Sequence, residues 1–211
     1  VVELNSVGPG INRNGGGCHG ATLFDSIVRS NYASYNNGGL DGCTAHRTLI
    51  QGNVSGNLGC VGGSSKIYSC VVDGNVASNG GGMVHTPEMF NCTIVNHSED
   101  RSAIVVGVNA QSKIWNNVFW NPEAATNWFV VATNVGCNSS NDPAFIPGTY
   151  RLSPGSPCID AGNNTYAGGS LDFYGRPRTL NGTVDIGAAE FDPELDVPAS
   201  GRRSFFWSLL F

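Results

Sequence analysis

A repeat of constant length, about 22 residues, organises the first two thirds of the chain. Four segments follow one another at this spacing: FDSIVRSN (24–31), HRTLIQGN (46–53), YSCVVDGN (68–75) and FNCTIVNH (90–97). A fifth, WNNVFWNP (115–122), follows after a slightly longer interval, which indicates an insertion. A unit of this length is too short for a pair of packed helices, and β-branched residues without helical periodicity argue against a helix in each repeat. The repeat predicts an all-β, right-handed parallel β-helix with three short strands in each coil and ~4.8 Å between coils.

Residues one repeat apart lie directly over each other in such a fold, so each column of the alignment faces one way. Two columns are almost entirely aliphatic and predict the core: Leu23, Ala45, Ile67, Met89 and Ile114, and Val28, Ile50, Val72, Ile94 and Phe119. Side chains alternate along a strand, so the small residues two places before the second column also face inward. These small residues are Ser26, Thr48, Cys70 and Cys92.

Asn31, Asn53 and Asn75 occupy one further column, which His97 continues. Stacked amides at a turn predict a ladder in which each side chain bonds to the next, and we favour this interpretation over a ligand-binding role. The four histidines show no metal-binding spacing, so each is predicted to be a surface or ladder residue.

The composition excludes several classes of protein. With 40% hydrophobic residues and a net charge of −5, the chain is not intrinsically disordered. Eleven Lys plus Arg against sixteen Asp plus Glu offer no cationic face for nucleic acid. No run reaches the ~18 apolar residues of a membrane span. Seven cysteines without a CxxC pair argue against a zinc ribbon and fit an oxidising compartment. We expect no cofactor and no metal.

The C-terminal third reads differently. It contains CNSSNDPAF (137–145), YRLSPGSPCIDAG (150–162), LDFYGRPR (171–178) and NGTVDIGAAEF (181–191). This succession resembles the end of secreted bacterial β-helix proteins of the pectate-lyase-like kind that carry a choice-of-anchor Q-type C-terminal domain. The resemblance implies an exported protein with an extracellular or cell-surface location. It says little about chemistry.

This change in the sequence pattern predicts three parts: β-helix repeats over 1–133, a loop-rich cap over 134–193, and an acidic linker with a hydrophobic tail over 194–211. The chain begins at Val1, which favours a processed chain or a fragment of a longer one. The tail has six apolar residues in its last seven. We predict that it packs on a lateral face of a β-helix, its own or a neighbour's, and promotes self-association.

Charged residues and cysteines of the C-terminal third each leave two interpretations. The charged set could supply catalytic carboxylates with an arginine clamp, or ion pairs that hold the cap together, and we favour the ion pairs; it comprises Asp160, Asp172, Arg176, Arg178, Asp185 and Glu190. Cys137 and Cys158 flank one turn of this region and are predicted to form a disulfide that closes the loop between them. Cys70 and Cys92 in the repeat are either bridged or stacked as thiols, and the pairing of Cys18, Cys43 and Cys60 stays open.

One outward column carries a ring in every copy: Phe24, His46, Tyr68, Phe90 and Trp115. Exposed aromatic stripes mark binding surfaces for sugars or partner chains. We favour a stripe covered by a loop, by the tail or by a partner over one free for glycan.

Catalysis on such a fold needs groups that the columns do not assemble. A polysaccharide lyase needs a base and a cation, and the chain has two lysines, Lys66 and Lys113. A glycoside hydrolase needs two carboxylates, and no two acids of the repeats share a column on adjacent coils. The sequence therefore favours a non-enzymatic secreted or cell-surface module for adhesion or assembly, whose partners are extracellular polysaccharide or copies of itself. A lyase or glycoside hydrolase is the alternative.

Overall fold

The computed structural model describes residues 1–3, 5–7, 14–57, 59–78, 84–97, 111–122 and 134–197, together with the backbone of 104–106 and 128–130. Strands of two or three residues stack there as parallel sheets, and each strand pairs with its counterpart one repeat away. Ile67, for example, pairs with Ala45 on one side and Met89 on the other. The predicted parallel β-helix architecture is confirmed, and so is the length of its coils, which equals the sequence repeat.

Two sheets contain six strands each. Sheet A is formed, in order, by β1 (Val2–Glu3), β5 (Ile27–Arg29), β9 (Leu49–Gln51), β13 (Val71–Asp73), β16 (Thr93–Val95) and β19 (Val118–Trp120). Sheet D is formed by β4 (Thr22–Phe24), β8 (Thr44–His46), β12 (Lys66–Tyr68), β15 (Glu88–Phe90), β18 (Lys113–Trp115) and β21 (Asn134–Gly136).

The other sheets are smaller. Sheet B is formed by β2 (Ser6–Val7), β6 (Tyr32–Ala33), β10 (Val54–Ser55) and β14 (Val76–Ala77). Sheet C is formed by β3 (Cys18–His19), β7 (Leu40–Asp41) and β11 (Val61–Gly62). A separate pair joins β17 (Ile104–Val106) to β20 (Trp128–Val130).

One coil passes through sheets C, D, A and B in turn, so it has four short strands where the sequence predicted three. Single residues in the left-handed backbone conformation make the additional corners. Between sheets D and A, these are Asp25, Arg47, Ser69, Asn91 and Asn116, with φ between 46° and 59°. Between sheets A and B, they are Ser30, Gly52, Gly74 and Asn96, with φ between 55° and 59°. One left-handed residue turns the chain sharply without a longer loop, which keeps the coil short.

The predicted core columns point inward. Val28, Ile50, Val72, Ile94 and Phe119 are fully buried, as are Ala45, Ile67, Met89 and Ile114. Thr48, Cys70 and Cys92 are also fully buried, which confirms the small-residue column over these three coils. The register read from the sequence is therefore correct.

The asparagine ladder is confirmed in detail. The side-chain amide of Asn31 donates to Oδ1 of Asn53 over 2.9 Å, and that of Asn53 donates to Oδ1 of Asn75 over 2.9 Å. Each amide also donates to a backbone oxygen of the preceding coil, as Asn53 does to Val28 over 3.0 Å. Asn5 adds one more rung above Asn31, over 2.9 Å. Buried amides are satisfied in this way by identical neighbours.

The stacked coils continue past the boundary predicted at residue 133. Strand β21 pairs with β18, and Ser139 forms an isolated bridge with Val118. The amide of Asn117 donates to Oδ1 of Asn138 over 2.9 Å, so a second ladder runs through the column of small residues. The sequence repeat is hard to see here because Gly136 stands where earlier copies have a ring.

The C-terminal segment, residues 140–197, is loop-rich and contains one 3-10 turn at Asn164–Tyr166. Its contacts with the repeats lie along the side of the coils. Tyr150 donates from its hydroxyl to Asp73 over 2.7 Å, and the Ala188 N–H donates to Oγ1 of Thr93 over 2.9 Å. A second apolar cluster joins Val118 of sheet A to three side chains of the segment: Leu152, Cys158 and Ile186. The segment thus covers the outer face of sheet A over its last strands.

All seven cysteines are free thiols, so the predicted Cys137–Cys158 disulfide is absent from the structure. Cys137 lies at the left-handed corner after β21, with a φ of 47°, and is half-buried. Cys158 is enclosed in the second apolar cluster, where the hydroxyls of Ser139 and Ser156 contact its thiol. Cys70 and Cys92 stack on adjacent coils, and the Cys70 N–H points to Sγ of Cys92 over 3.5 Å.

Candidate binding face

The outer face of sheet D carries two parallel columns of side chains. The central residue of each strand faces the core, so the first and third residues face outward. The third residues form the predicted aromatic column, Phe24, His46, Tyr68, Phe90 and Trp115, which ends at Gly136. The first residues form a polar column: Thr22, Thr44, Lys66, Glu88, Lys113 and Asn134.

The first three rings of the aromatic column, those of Phe24, His46 and Tyr68, form its upper half and stack on one another. Phe24 and His46 lie 4.9 Å apart with planes 7° from parallel, and His46 and Tyr68 lie 4.8 Å apart at 17°. Tyr68 and Phe90 meet edge to face at 5.6 Å. Phe24 is 56% exposed, and His46 and Tyr68 are partly exposed. The upper half is therefore a strip of stacked rings that are exposed or partly exposed.

The lower half is covered by the C-terminal segment. The Tyr166 ring lies 4.1 Å from the Trp115 ring with planes 13° from parallel, and 5.8 Å from the Phe90 ring. Trp115 in turn leans over Gly136, where a Cβ would lie 2.3 Å from its ring. Within the described part of the chain, the loop at Tyr166 packs on Phe90 and Trp115, Phe24 is exposed, and His46 and Tyr68 are partly exposed without a ring contact from this loop. The tail, 198–211, lies outside the described residues.

Three charges of the polar column form a cluster beside the rings. The Lys66 ammonium lies 3.5 Å from Glu88, and the Lys113 ammonium lies 3.7 Å from the same carboxylate. The Tyr68 hydroxyl also donates to Glu88. Partial burial and this hydrogen bond raise the pKa of Tyr68. Burial alone would raise the pKa of Glu88, but the bond from Tyr68 and the two lysines lower it.

Sequence reasoning missed this cluster, although the signal was present. Lys66, Glu88 and Lys113 each stand two places before a ring of the aromatic column, so they share the spacing of the rings. A search for acidic residues that share a column with other acidic residues overlooks this column, in which the Glu88 carboxylate lies between two lysines.

A further ion pair borders the open half at the corner between sheets D and A. Arg47 binds Asp25 through two bonds, from Nε over 2.6 Å and from Nη2 over 2.8 Å. The hydrogen bond from Arg47 lowers the pKa of Asp25. His46 lies beside this pair, and partial burial followed by the Arg47 charge lowers its pKa. The imidazole therefore acts at neutral pH as an uncharged donor and acceptor.

Asp172, Arg176, Arg178 and Glu190 of the C-terminal third form ion pairs, as the sequence analysis favoured. Arg178 is buried and donates to Glu190 over 2.9 Å, to Oγ of Ser69 over 2.9 Å and to the Ala188 oxygen over 2.7 Å. The Arg176 guanidinium links two carboxylates: its Nε lies 3.2 Å from Oδ2 of Asp172, and its Nη1 lies 2.7 Å from Oδ2 of Asp196. These groups fasten the segment to itself and to Ser69 of the coils.

Two carboxylates share the charge of Arg178. Burial raises the pKa of Glu190 to about 8 and that of Asp185 to about 6, although the Arg178 charge acts in the opposite direction on both. Asp185 accepts backbone N–H groups from Asp160 and Phe191 over 2.6 Å each, and Asp160 itself is exposed. The side chains of this network are engaged in hydrogen bonds within the protein, which favours a structural role over a catalytic one.

Neither a metal centre nor a membrane helix is found in the described ranges. No group of three or more His, Cys, Asp or Glu side chains there could hold a metal ion. No helix of that part is long and apolar enough to cross a membrane.

Comparison of the chain with models of known protein families, with curated proteins and with solved structures gave no match.

Proposed function

We propose that this chain is a carbohydrate-binding β-solenoid module, and that the open half of the outer face of sheet D is its binding surface. The observation that carries this proposal is the stacked strip formed by Phe24, His46 and Tyr68, whose end ring, Phe24, is 56% exposed, while the loop at Tyr166 packs on the rings below. Large apolar side chains exposed in a row on a rigid sheet are typical of a recognition surface.

The neighbouring column gives this strip its polar partners. Thr44, Lys66 and Glu88 lie one behind another at the spacing of the coils, ~4.8 Å. Sugar hydroxyls need donors and acceptors beside an apolar surface, and these side chains offer both. The advance from one coil to the next is close to the length of one pyranose unit in a β-1,4-linked chain. A polysaccharide lying along the axis would therefore meet similar groups at each coil.

The charged side chains beside the strip indicate which class of glycan it would bind. Glu88 is held between Lys66 and Lys113, and Arg47 is held by Asp25, so most of the local charge is neutralised by neighbours. A uronate polymer would have to compete with Glu88 for the lysines. We therefore favour neutral polysaccharides over acidic ones.

The enzymatic alternative has weaker support. Glycoside hydrolysis uses two carboxylates flanking one bond. The outward columns of sheet D hold one, Glu88, and Tyr68 and both lysines contact it. A lyase is the better enzymatic candidate, because Tyr68 and the lysines supply a proton-transfer group and cations.

Location completes the proposal. The resemblance of residues 137–191 to the choice-of-anchor Q-type ending supports an exported protein at the bacterial cell surface or outside the cell, where extracellular polysaccharide is the partner. Assembly of copies through the same aromatic strip is the competing use of this surface.

The proposal is tested by binding to a glycan array and by calorimetry against soluble neutral oligosaccharides. Phe24→Ala and His46→Ala should each weaken binding about tenfold, which corresponds to about 1.4 kcal/mol. Tyr32→Ala is the matched control, because Tyr32 is 41% exposed on sheet B, away from this face. Equal loss in the control, or no binding by the unchanged protein, contradicts the proposal. Unsaturated products from polyuronates would favour the lyase.

A further inference from the structure

The outer face of sheet C carries its own column of polar residues. His19 pairs with Asp41, and the bridge between Val61 and Val84 places His85 level with Gly62. The column therefore reads His19, Asp41, Gly62 and His85, with one side chain missing in the middle.

Glycine at that position makes room for two polar side chains. A Cβ on Gly62 would lie 2.0 Å from Oδ1 of Asn37, and one on Gly63 would lie 1.7 Å from Oδ1 of Asp41. Gly63 also has a φ of 60°, which side-chain-bearing residues rarely adopt. The glycines allow Asn37 and Asp41 to lie against the backbone of the next coil.

A cavity of about 310 Å³ opens beside this column. Its described lining consists of Gly59, Gly63 and five polar residues: Asn14, Asn36, Asn37, Ser64 and His85. Its size is at the lower end of the range for small-molecule sites. Among the residues that the structure describes, the lining contains amides, a hydroxyl and an imidazole, and no lysine or arginine.

The nearest carboxylate is already occupied. Oδ1 of Asp41 accepts the Asn37 amide over 2.8 Å, and Oδ2 lies 3.0 Å from Nδ1 of His19. Among the described residues around the cavity, an anion would find no cation, and a metal ion would find one engaged carboxylate instead of the several oxygen ligands that it needs. The cavity suits an uncharged ligand rich in hydrogen-bonding groups.

Two of the lining side chains have free hydrogen-bonding capacity. Within the ranges that the structure describes, no protein group bonds to the Ser64 hydroxyl or to the His85 ring. Burial lowers the pKa of His85, so its imidazole is neutral at pH 7 and offers one donor and one acceptor. Ser64 is held at the cavity by a left-handed backbone, with a φ of 66°.

We propose that this cavity is a binding site for a single neutral sugar unit, which exchanges hydrogen bonds with Ser64, His85 and the amides of Asn36 and Asn37. The site lies on a different sheet from the aromatic strip and does not depend on the function proposed for that strip. It would hold a chain end or a side branch, since the volume admits one pyranose ring.

The test uses the whole chain with 15N-labelled histidine and follows the imidazole signals by NMR. Glucose, galactose, mannose and N-acetylglucosamine are titrated to roughly 50 mM, well above a millimolar Kd. At least one of them should shift the His85 signals in a saturable manner and leave those of His46 unchanged. Glucuronate should shift them less than the neutral sugar. No saturable shift of His85 with any of the four, or an equal shift with glucuronate, overturns the proposal.

Two substitutions at residue 64 sharpen the test. Ser64→Gly removes the hydroxyl and keeps the left-handed backbone, and it should raise the Kd about tenfold. Ser64→Asn also tolerates this backbone and fills the cavity, and it should abolish the shift. Phe24→Ala should leave the His85 titration unchanged, which separates this site from the aromatic strip. Unchanged binding in both Ser64 variants, with circular dichroism showing intact folds, overturns the proposal.

Discussion

The backbone N–H of Asn75 donates to Nδ1 of His97 over 3.2 Å, where the coils above use an amide oxygen. The corresponding bonds run from Asn31 to Oδ1 of Asn53 over 3.0 Å and from Asn53 to Oδ1 of Asn75 over 2.8 Å. An imidazole can replace the acceptor but leaves its other nitrogen, Nε2, buried without a partner. His97 therefore ends the regular ladder with a group that must stay uncharged.

Replacing His97 with Asn should stabilise the protein, most strongly in mild acid. Burial lowers the pKa of His97 from 6.5 to about 4. The stability that depends on the neutral ring is fully present above pH 6.5 and is lost as the pH falls from there towards 4. The native protein should lose about 2 kcal/mol at pH 5 that His97→Asn retains. Urea unfolding at pH 7.5 and pH 5 measures this difference. His19→Asn, at an exposed site, is the control and should keep the pH dependence of the native protein. If His97→Asn also keeps that pH dependence, the prediction is wrong.

Removing one rung of the ladder should be costly. Asn53→Ala leaves the N–H of Asn31, Oδ1 of Asn75 and the oxygen of Val28 without their side-chain partner. We expect the free energy of unfolding to fall by about 3 kcal/mol, since buried groups lose their bonds. Asn181→Ala, on the exposed surface, should change it by less than about 0.5 kcal/mol. Comparable values for the two variants would show that the ladder is not stabilising.

Arg178 should control the attachment of the C-terminal segment. Arg178→Met leaves Glu190 unpaired and removes the bond to Ser69, so the segment should lose about 3 kcal/mol of local stability. Hydrogen exchange should accelerate over residues 150–191 while β9 and β13 keep their protection. Adding Glu190→Gln should restore little at pH 7, because the buried Glu190 carboxyl, with a pKa of about 8, is protonated there once the guanidinium is gone. Arg29→Met breaks an exposed pair with Glu3 and serves as the control. Uniform acceleration across all coils would contradict a separately attached segment.

Thiol labelling tests the absence of disulfides. Cys137 is half-buried and should react with iodoacetamide in the native state. Cys18 is also half-buried but should react more slowly, because burial raises its pKa to about 11 and the thiolate is the nucleophile. The five buried cysteines should react only after unfolding. Mass spectrometry of the unreduced, unfolded protein should therefore count seven labels. A peptide linking Cys137 to Cys158 would show that the bridge predicted from the sequence forms after all.

Periodicity made the repeats predictable. A strict spacing fixes which residues stack, so the burial of Ile50 and Val72 and the bonds of Asn53 follow from the columns alone. The contacts of the C-terminal segment do not follow, because they join residues far apart in sequence without any repeat. Nothing in the sequence around Tyr166 indicates that its ring contacts the Trp115 ring. Candidate binding residues could accordingly be placed on a face, but the part of that face that stays open could not.

The ladder also has a consequence for how such a chain can change length. A coil in the middle, such as the one containing Asn53, presents to each neighbour the same bonding groups that it receives from the other. In-frame duplication of the codons for one repeat would insert a coil whose hydrogen bonds, core contacts and corners are already matched on both sides. The row of rings on sheet D would gain one member by the same event. Evolution or a protein engineer could therefore lengthen the aromatic column by copying, without redesigning any contact.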